Sequence, residues 1–142
     1  MIQRVFVDTD IILDVALGRK PFFAASKMVL ALMENNIAIG FTSSNCIANI
    51  YYILRKAGGD SAARLFLSRL LEYVTVIPID HSTVIDALRS EFADFEDALQ
   101  HHSAIDNRCE CIVTRNTADY RASKISVYLP LEFIRLHQRQ LE

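Results

Sequence analysis

Short, wholly apolar runs alternate with longer amphipathic stretches along the chain. Val5-Phe6-Val7 is β-branched and aromatic without polar alternation, which predicts a strand covered on both faces. It stops at Asp8-Thr9-Asp10, polar residues able to cap a helix over about Ile11 to Leu17 that Gly18 closes. Asp10 has the better capping position, while Asp8, directly after the strand, reads equally well as a cap or as a metal ligand. Pro21 predicts the start of a second helix through Ala24, Met28, Leu32 and Met33. The layout then recurs. Ile37 to Phe41 predicts a strand, Ser43 or Ser44 caps a helix to Lys56, Gly58-Gly59 breaks it, and Asp60 opens another to about Tyr73. Val74 to Ile79 predicts the third strand, Asp80 the cap of a helix through Ile85 and Leu88, and a further helix runs from about Asp94 to Asn107. Cys111-Ile112-Val113 and Ile125 to Tyr128 are two more strands, and Pro130 introduces a last helix with an exposed, Arg-rich end.

Strands separated by helices, with no hairpin signal between them, predict an α/β fold: a mostly parallel sheet of about five strands with helices on both faces. No linker divides the 142 residues, so one domain over 1–142 is expected. A chain that is 51% hydrophobic and 23% charged, with 4 Gly and 3 Pro, is excluded from the collagen-like, low-complexity and disordered classes. Its 3 cysteines, two of them (Cys109, Cys111) one residue apart, predict neither a disulfide framework nor a zinc knuckle, and a reducing cytoplasm is expected. No apolar run reaches the ~20 residues of a membrane span, and Met1 to Arg4 lead into an acid-punctuated segment rather than a signal peptide, so no membrane association is expected.

The net charge of −2 offers no overall attraction to a polyanion. A nucleic-acid role therefore needs a bound cation, and the positions of the acids decide whether one fits. Open α/β sheets bind ligands beyond the carboxyl ends of their strands, where Asp8 stands. In Asp94-Phe95-Glu96-Asp97-Ala98-Leu99-Gln100-His101-His102, read at ~100° per residue, Phe95, Ala98, Leu99 and Ile105 form the expected buried stripe. Asp94, Asp97 and His101 border it, and Glu96 and Gln100 point to solvent. His101 could assist a metal or leaving group, although an exposed histidine is the plainer expectation for it and for His102. The exit of the fourth strand, Thr114-Arg115-Asn116-Thr117-Ala118-Asp119-Tyr120, is polar and, with Arg121 and Lys124, locally basic. Asn116 and Asp119 serve either turn formation or a ligand there, and Arg115 is a candidate phosphate contact. If folding gathers Asp8, Asp97 and Asp119 in one crevice, their repulsion, about 4 kcal/mol for a pair ~4 Å apart at an effective dielectric near 20, calls for a hard divalent cation. Mg2+ or Mn2+ answers that need and can activate water on a phosphodiester.

Asp8-Thr9-Asp10-Ile11-Ile12-Leu13-Asp14-Val15, Gly18-Arg19-Lys20-Pro21-Phe22, Tyr51-Tyr52-Ile53-Leu54, Asp94 to Leu99 and Ile112 to Asn116, in that order and spacing, resemble the PIN-domain family, especially VapC-like proteins. The likeness spans nearly the whole chain. It implies metal-dependent cleavage of RNA, commonly as the toxin of a toxin–antitoxin pair, with a homodimer and a neutralising antitoxin protein. Position by position it places the family's acids on Asp8, Asp97 and Asp119, with Asn116 beside the last, and these are the catalytic residues it implies. One position departs. In the helix after the second strand, where many members carry glutamate, Asn49 stands nearest, on a polar stripe with Asn45 and Tyr52 opposite Ile47, Ile50, Tyr51 and Leu54. An amide keeps an acceptor oxygen but brings no charge.

Three other readings compete. Asp8 and Asp10, with Thr114 and Lys124, resemble the start of a haloacid-dehalogenase-type phosphatase, but the acidic pair needed after the lysine is absent, only Glu132 and Glu142 remaining. A signalling receiver would use Asp80, too far along the chain from Asp8 for the receiver's single-helix alternation. A PIN-fold module that binds RNA or protein without cutting is made plausible by Asn49.

Overall fold

The computed structural model describes residues 2–138. Five strands, β1 (Gln3–Val7), β2 (Ala38–Ser43), β3 (Val74–Ile77), β4 (Cys111–Val113) and β5 (Ser126–Tyr128), form one sheet in the order β3-β2-β1-β4-β5. Every neighbouring pair is parallel. Among the described residues there are seven helices, six between strands and one after the last: α1 (Thr9–Ala16), α2 (Phe23–Glu34), α3 (Ser44–Gly58), α4 (Asp60–Leu70), α5 (His81–Leu88), α6 (Phe95–Asp106) and α7 (Pro130–Leu136), with a 3-10 turn over Thr117–Tyr120. The expected α/β class and five-stranded parallel sheet are therefore present. Val5, Phe6 and Val7 are all 0% exposed, so side chains on both faces of β1 are covered, as their unbroken apolarity requires.

The chain lays β2 and β3 to one side of β1 and β4 and β5 to the other, which puts the reversal of strand order between β1 and β4. Crevices form at such points, beyond the carboxyl ends of the strands. Val7 pairs with Val113, so Asp8 and Thr114, the next residue on each strand, leave the sheet side by side. Gly40 permits the close packing of α2 on β2: a Cβ there would collide with the Met33 Sδ. Gly59, at φ 91°, turns the chain from α3 directly into α4.

Several expected boundaries shift for local reasons. Helix α2 begins at Phe23, and Pro21 lies in the preceding turn. Strand β3 ends at Ile77 because Pro78 has no N–H for the ladder. Helix α4 stops at Leu70. The cap of α1 is Asp8, which accepts from the Thr9 N–H, and not Asp10, which lies in the first turn. The largest correction concerns α6. Ala98 and Leu99 are buried as expected, but Gln100 and His101 are buried with them at 3% and 1% exposure, while Phe95 is exposed and Ile105 half-buried. The covered arc takes in polar residues because partners await them: the Tyr120 hydroxyl donates to Gln100 Oε1 at 2.6 Å and the Lys124 N–H to His101 Nε2 at 2.9 Å. His101 is thus a core histidine, its pKa lowered to about 4 by burial first and then by His102 and Lys124. Arg135 at the end of α7 is exposed, whereas Arg139, the rest of the expected Arg-rich end, lies outside the described residues. The three cysteines are buried and unpaired, and among the described residues no helix is long and apolar enough to cross a membrane.

Candidate functional site

At the carboxyl ends of β1 and β4 lies a cleft of about 470 Å³ bordered by Asp8, Asp10, Asn49, Glu96, Asp97, Gln100 and Asn116. They come from four places in the chain: the β1–α1 junction, α3, the first turns of α6 and the exit of β4. Asp8 is fixed by the end of β1, its own N–H donating to Val113 O at 3.0 Å. Its Oδ1 accepts from the Thr9 N–H at 2.8 Å, and its Oδ2 accepts from Thr114 Oγ1 at 2.8 Å with the Tyr120 hydroxyl 3.3 Å away. Asp97 stands in the first turn of α6, its backbone N–H held by the Asp94 carboxylate at 2.9 Å. Asn49 comes from α3, on the face where the helix meets the cleft with Tyr52 and Ile53.

The acids are strained against one another. Burial pushes the Asp8 carboxyl up, the charge of Asp119 adds to the push, and the donors Thr114, Thr9 and Tyr120 pull the other way. Asp97 is pushed up to about 7, by burial first and then by Asp8, Asp94 and Asp119. Asp10 is pushed up to about 7, by burial first and then by Asp8, with Arg115 opposing. Asp119 is exposed, in the 3-10 turn, and does not itself border the cleft, but its charge reaches both Asp8 and Asp97. Among the described residues no three Asp, Glu, His or Cys side chains gather tightly enough to hold a metal ion. The carboxylates converge without closing into a chelate.

Two residues occupy roles that composition and spacing did not indicate. Asp10 Oδ2 accepts from Asn116 Nδ2 at 3.1 Å and from the Arg115 N–H at 3.3 Å, while its Oδ1 is buried with no partner. Asp14, on the next turn of α1, is completely buried and holds the Arg115 guanidinium. The expectation that Arg115 contacts phosphate thus meets a competing fact: two of its nitrogens are committed to Asp14, its Cζ lies 3.9 Å from the Phe22 ring centre, and it borders a separate cleft with Phe22, Ser26 and Pro130. The signal for Asp14 was its place one helical turn from Asp10. Tyr120, which reaches both Asp8 and Gln100, carried no sequence signal beyond its adjacency to Asp119.

Desolvated, mutually repelling carboxylates, one with an orphaned buried oxygen, form a hard-oxygen donor set whose charge a Mg2+ or Mn2+ ion would neutralise. In donor type, though not yet in spacing, the residues present suit such an ion. The alternative phosphatase and receiver readings find less: Asp80 is the cap of α5, its carboxylate accepting from the Thr83 N–H at 3.0 Å, and Thr114 is bonded to Asp8.

The chain is similar to Ribonuclease VapC1 of Aquifex aeolicus (strain VF5), 26% identical over 123 residues that span 83% of this chain and 85% of the relative. The fold matches VapBC2 from Rickettsia felis bound to a DNA fragment from its promoter, with TM-score 0.71 and 16% identity over 89% of this chain and 98% of that one. It also matches a toxin–antitoxin complex from Klebsiella pneumoniae (TM-score 0.69, 22% identity, 89% and 97% covered) and the sarcin–ricin loop cleaving toxin VapC20 of Mycobacterium tuberculosis (TM-score 0.66, 16% identity, 86% and 98% covered). The sequence profile of the PIN domain matches residues 4–118, from the first residues of β1 through the exit of β4, and so takes in every element that borders the cleft. The acidic crevice at the strand-order reversal is therefore carried by a chain that belongs to the PIN-domain family.

Proposed function

We propose that this protein, acting as one domain over 1–142, is a metal-dependent endoribonuclease that hydrolyses RNA phosphodiester bonds. The observation that carries the reading is the convergence of Asp8 and Asp97 on one cleft, each carboxyl raised by burial and by its acidic neighbours. Asp8, Asp97 and Asp119 hold Mg2+ or Mn2+ in this reading. Such an ion supplies Lewis acidity at the scissile phosphate and lowers the pKa of the attacking water. The chain's own groups do the rest. Thr114, Thr9 and the Tyr120 hydroxyl keep Asp8 in one orientation. Asn116, at the cleft with its amide nitrogen tied to Asp10, keeps a carbonyl oxygen for water or substrate, and Asn49 offers a neutral amide to the RNA from α3. Arg115 acts first as a strut for the β4 exit, and any phosphate contact it makes is weakened by Asp14 at its fork; the exposed Arg121 and Lys124 beyond it supply uncompensated positive charge.

The relatives' descriptions as a VapC ribonuclease and as a toxin–antitoxin complex support a toxin neutralised by an antitoxin protein; the homodimer follows from the family resemblance alone, and the cytoplasmic setting from the three unpaired cysteines. Cleavage of a mixed RNA pool with and without Mn2+, by the parent chain and by Asp8→Asn and Asp97→Asn, tests the reading. Both variants should stay folded and lose at least ~100-fold in rate. Parental rates in either would remove it from the site. The second reading, a PIN-fold module that binds RNA without cutting, is favoured only by Asn49; metal-dependent cleavage abolished by Asp8→Asn rejects it as a sufficient account.

A further inference from the structure

We propose that Asp10 supplies the carboxylate that the α3 wall of the cleft lacks at Asn49, so that the first motif contributes two acids to the ion instead of one. The inference rests on the nuclease reading and deepens it. Asn49 and Asp10 border the same cleft as Asp8 and Asp97, and Asn49 can offer an oxygen but no charge.

The two carboxylates of the first motif differ in what they have left to give. Both oxygens of Asp8 already face donors: Thr9 N–H on Oδ1, and Thr114 with Tyr120 on Oδ2. Asp10 has both its donors on one oxygen, Oδ2, which accepts from the Asn116 amide and the Arg115 N–H. Oδ1 is buried and has no partner. A buried carboxylate oxygen without a donor is costly, so its retention calls for a partner that enters with the ligand. The support behind Asp10 is equally specific. The Arg115 side chain is forked onto the buried Asp14, which fixes the β4 exit so that the Arg115 N–H and the Asn116 amide meet the same Asp10 oxygen. Asp10 is thereby held by one oxygen, with the other left without a donor, the arrangement a ligating carboxylate needs. Moving a negative charge from α3 to α1 keeps the charge available to a divalent ion, and ligand charge governs affinity for hard cations.

Titration of Mn2+ into the full chain, read by loss of the free ion's electron paramagnetic resonance signal, tests this without reference to turnover. Asp10→Asn should weaken binding by ~10-fold or more, and adding Asn49→Glu to that variant should recover most of it. Asp10→Ser, which shortens the side chain, should show the same loss and the same recovery, and melting curves in chelator should confirm that each variant folds. Parental affinity in Asp10→Asn beside lost affinity in Asp8→Asn overturns the Asp10 assignment and leaves the nuclease reading standing. A loss that Asn49→Glu does not recover reduces Asp10 to a structural part and overturns it too. Affinity indifferent to Asp8→Asn and Asp10→Asn alike overturns both.

Discussion

Arg115 and Asp14, 101 positions apart in sequence, meet as a two-point ion pair, Nε to Oδ2 at 2.8 Å and Nη2 to Oδ1 at 3.0 Å. Asp14 is wholly buried and also accepts from Ser26 Oγ at 3.0 Å. The pair ties the exit of β4 to α1, and the same exit carries the N–H and amide that grip Asp10. Geometry at the cleft therefore depends on a charge pair outside it.

Removing the guanidinium leaves a desolvated carboxylate with only Ser26 and the more distant Arg19, 4.0 Å away, to face. Arg115→Ala should lose about 3–5 kcal/mol of stability in urea denaturation. Arg115→Lys should fall between, because an ammonium cannot reproduce the fork. Unchanged midpoints would mean the pair holds nothing. RNA binding separates the second role: Arg121→Ala and Lys124→Ala should each make the dependence of log K on log salt shallower by ~1, and Arg115→Lys should leave it nearly unaltered.

Tyr120 joins α6 to the strand ends, its hydroxyl donating to Gln100 and standing 3.3 Å from Asp8. Its own pKa is driven upward by burial and by Asp8 and Asp97, so it stays a donor. Tyr120→Phe strands a buried Gln100 oxygen and should cost about 1–3 kcal/mol. Because Asp8 also loses a neighbouring donor, the cleavage rate should drop even where the variant is fully folded. A variant equal to the parent in both denaturation midpoint and rate would show the hydroxyl to be idle.

The strands and the caps of α3 and α5, Ser43 and Asp80, were legible because period, breakers and caps are local properties, and β1 and β4 read as buried strands from three apolar residues each. What escaped is long-range. On a helical wheel Gln100 faces solvent and His101 only borders the buried stripe, and Tyr120 and the Lys124 N–H, brought in from a later segment, make their full burial tolerable. Asp10 looks like a better cap than Asp8, since nothing local announces that Asn116 and Arg115 will come to meet it. Arg115 reads as a surface cation until its partner 101 residues earlier is known. Asp8 was expected at the cleft because strand exits are where open sheets gather ligands, and it borders the cleft, whereas Asp119, expected beside it, does not.

Cys109 and Cys111 flank the start of β4, and burial pushes both thiols up to about 12. Thiolate is the reactive form, so both should resist iodoacetamide in the native protein at pH 8 and react only as it opens. At fixed pH, alkylation rates should rise with denaturant concentration. Rapid labelling under native conditions would contradict the packing around β4.

Stability of the metal-free protein should fall as the solution is made more alkaline across the neutral range. Asp97 and Asp10 are pushed from 3.8 to about 7 in the folded state, so folding favours their protonated forms. Their contribution is fully present below the unfolded value and is lost as pH rises through about 7. His101 works in the opposite sense: lowered from 6.5 to about 4, its contribution is present above 6.5 and lost as pH falls through about 4. Between 6.5 and roughly 8 the change in the carboxylates outweighs the tail of His101, and melting temperature in chelator should decline there. Asp97→Asn should flatten the decline, and Mn2+ should abolish it by favouring the ionised acids. A melting temperature that instead climbs across that window in the absence of metal would mean the acids of the cleft do not feel one another.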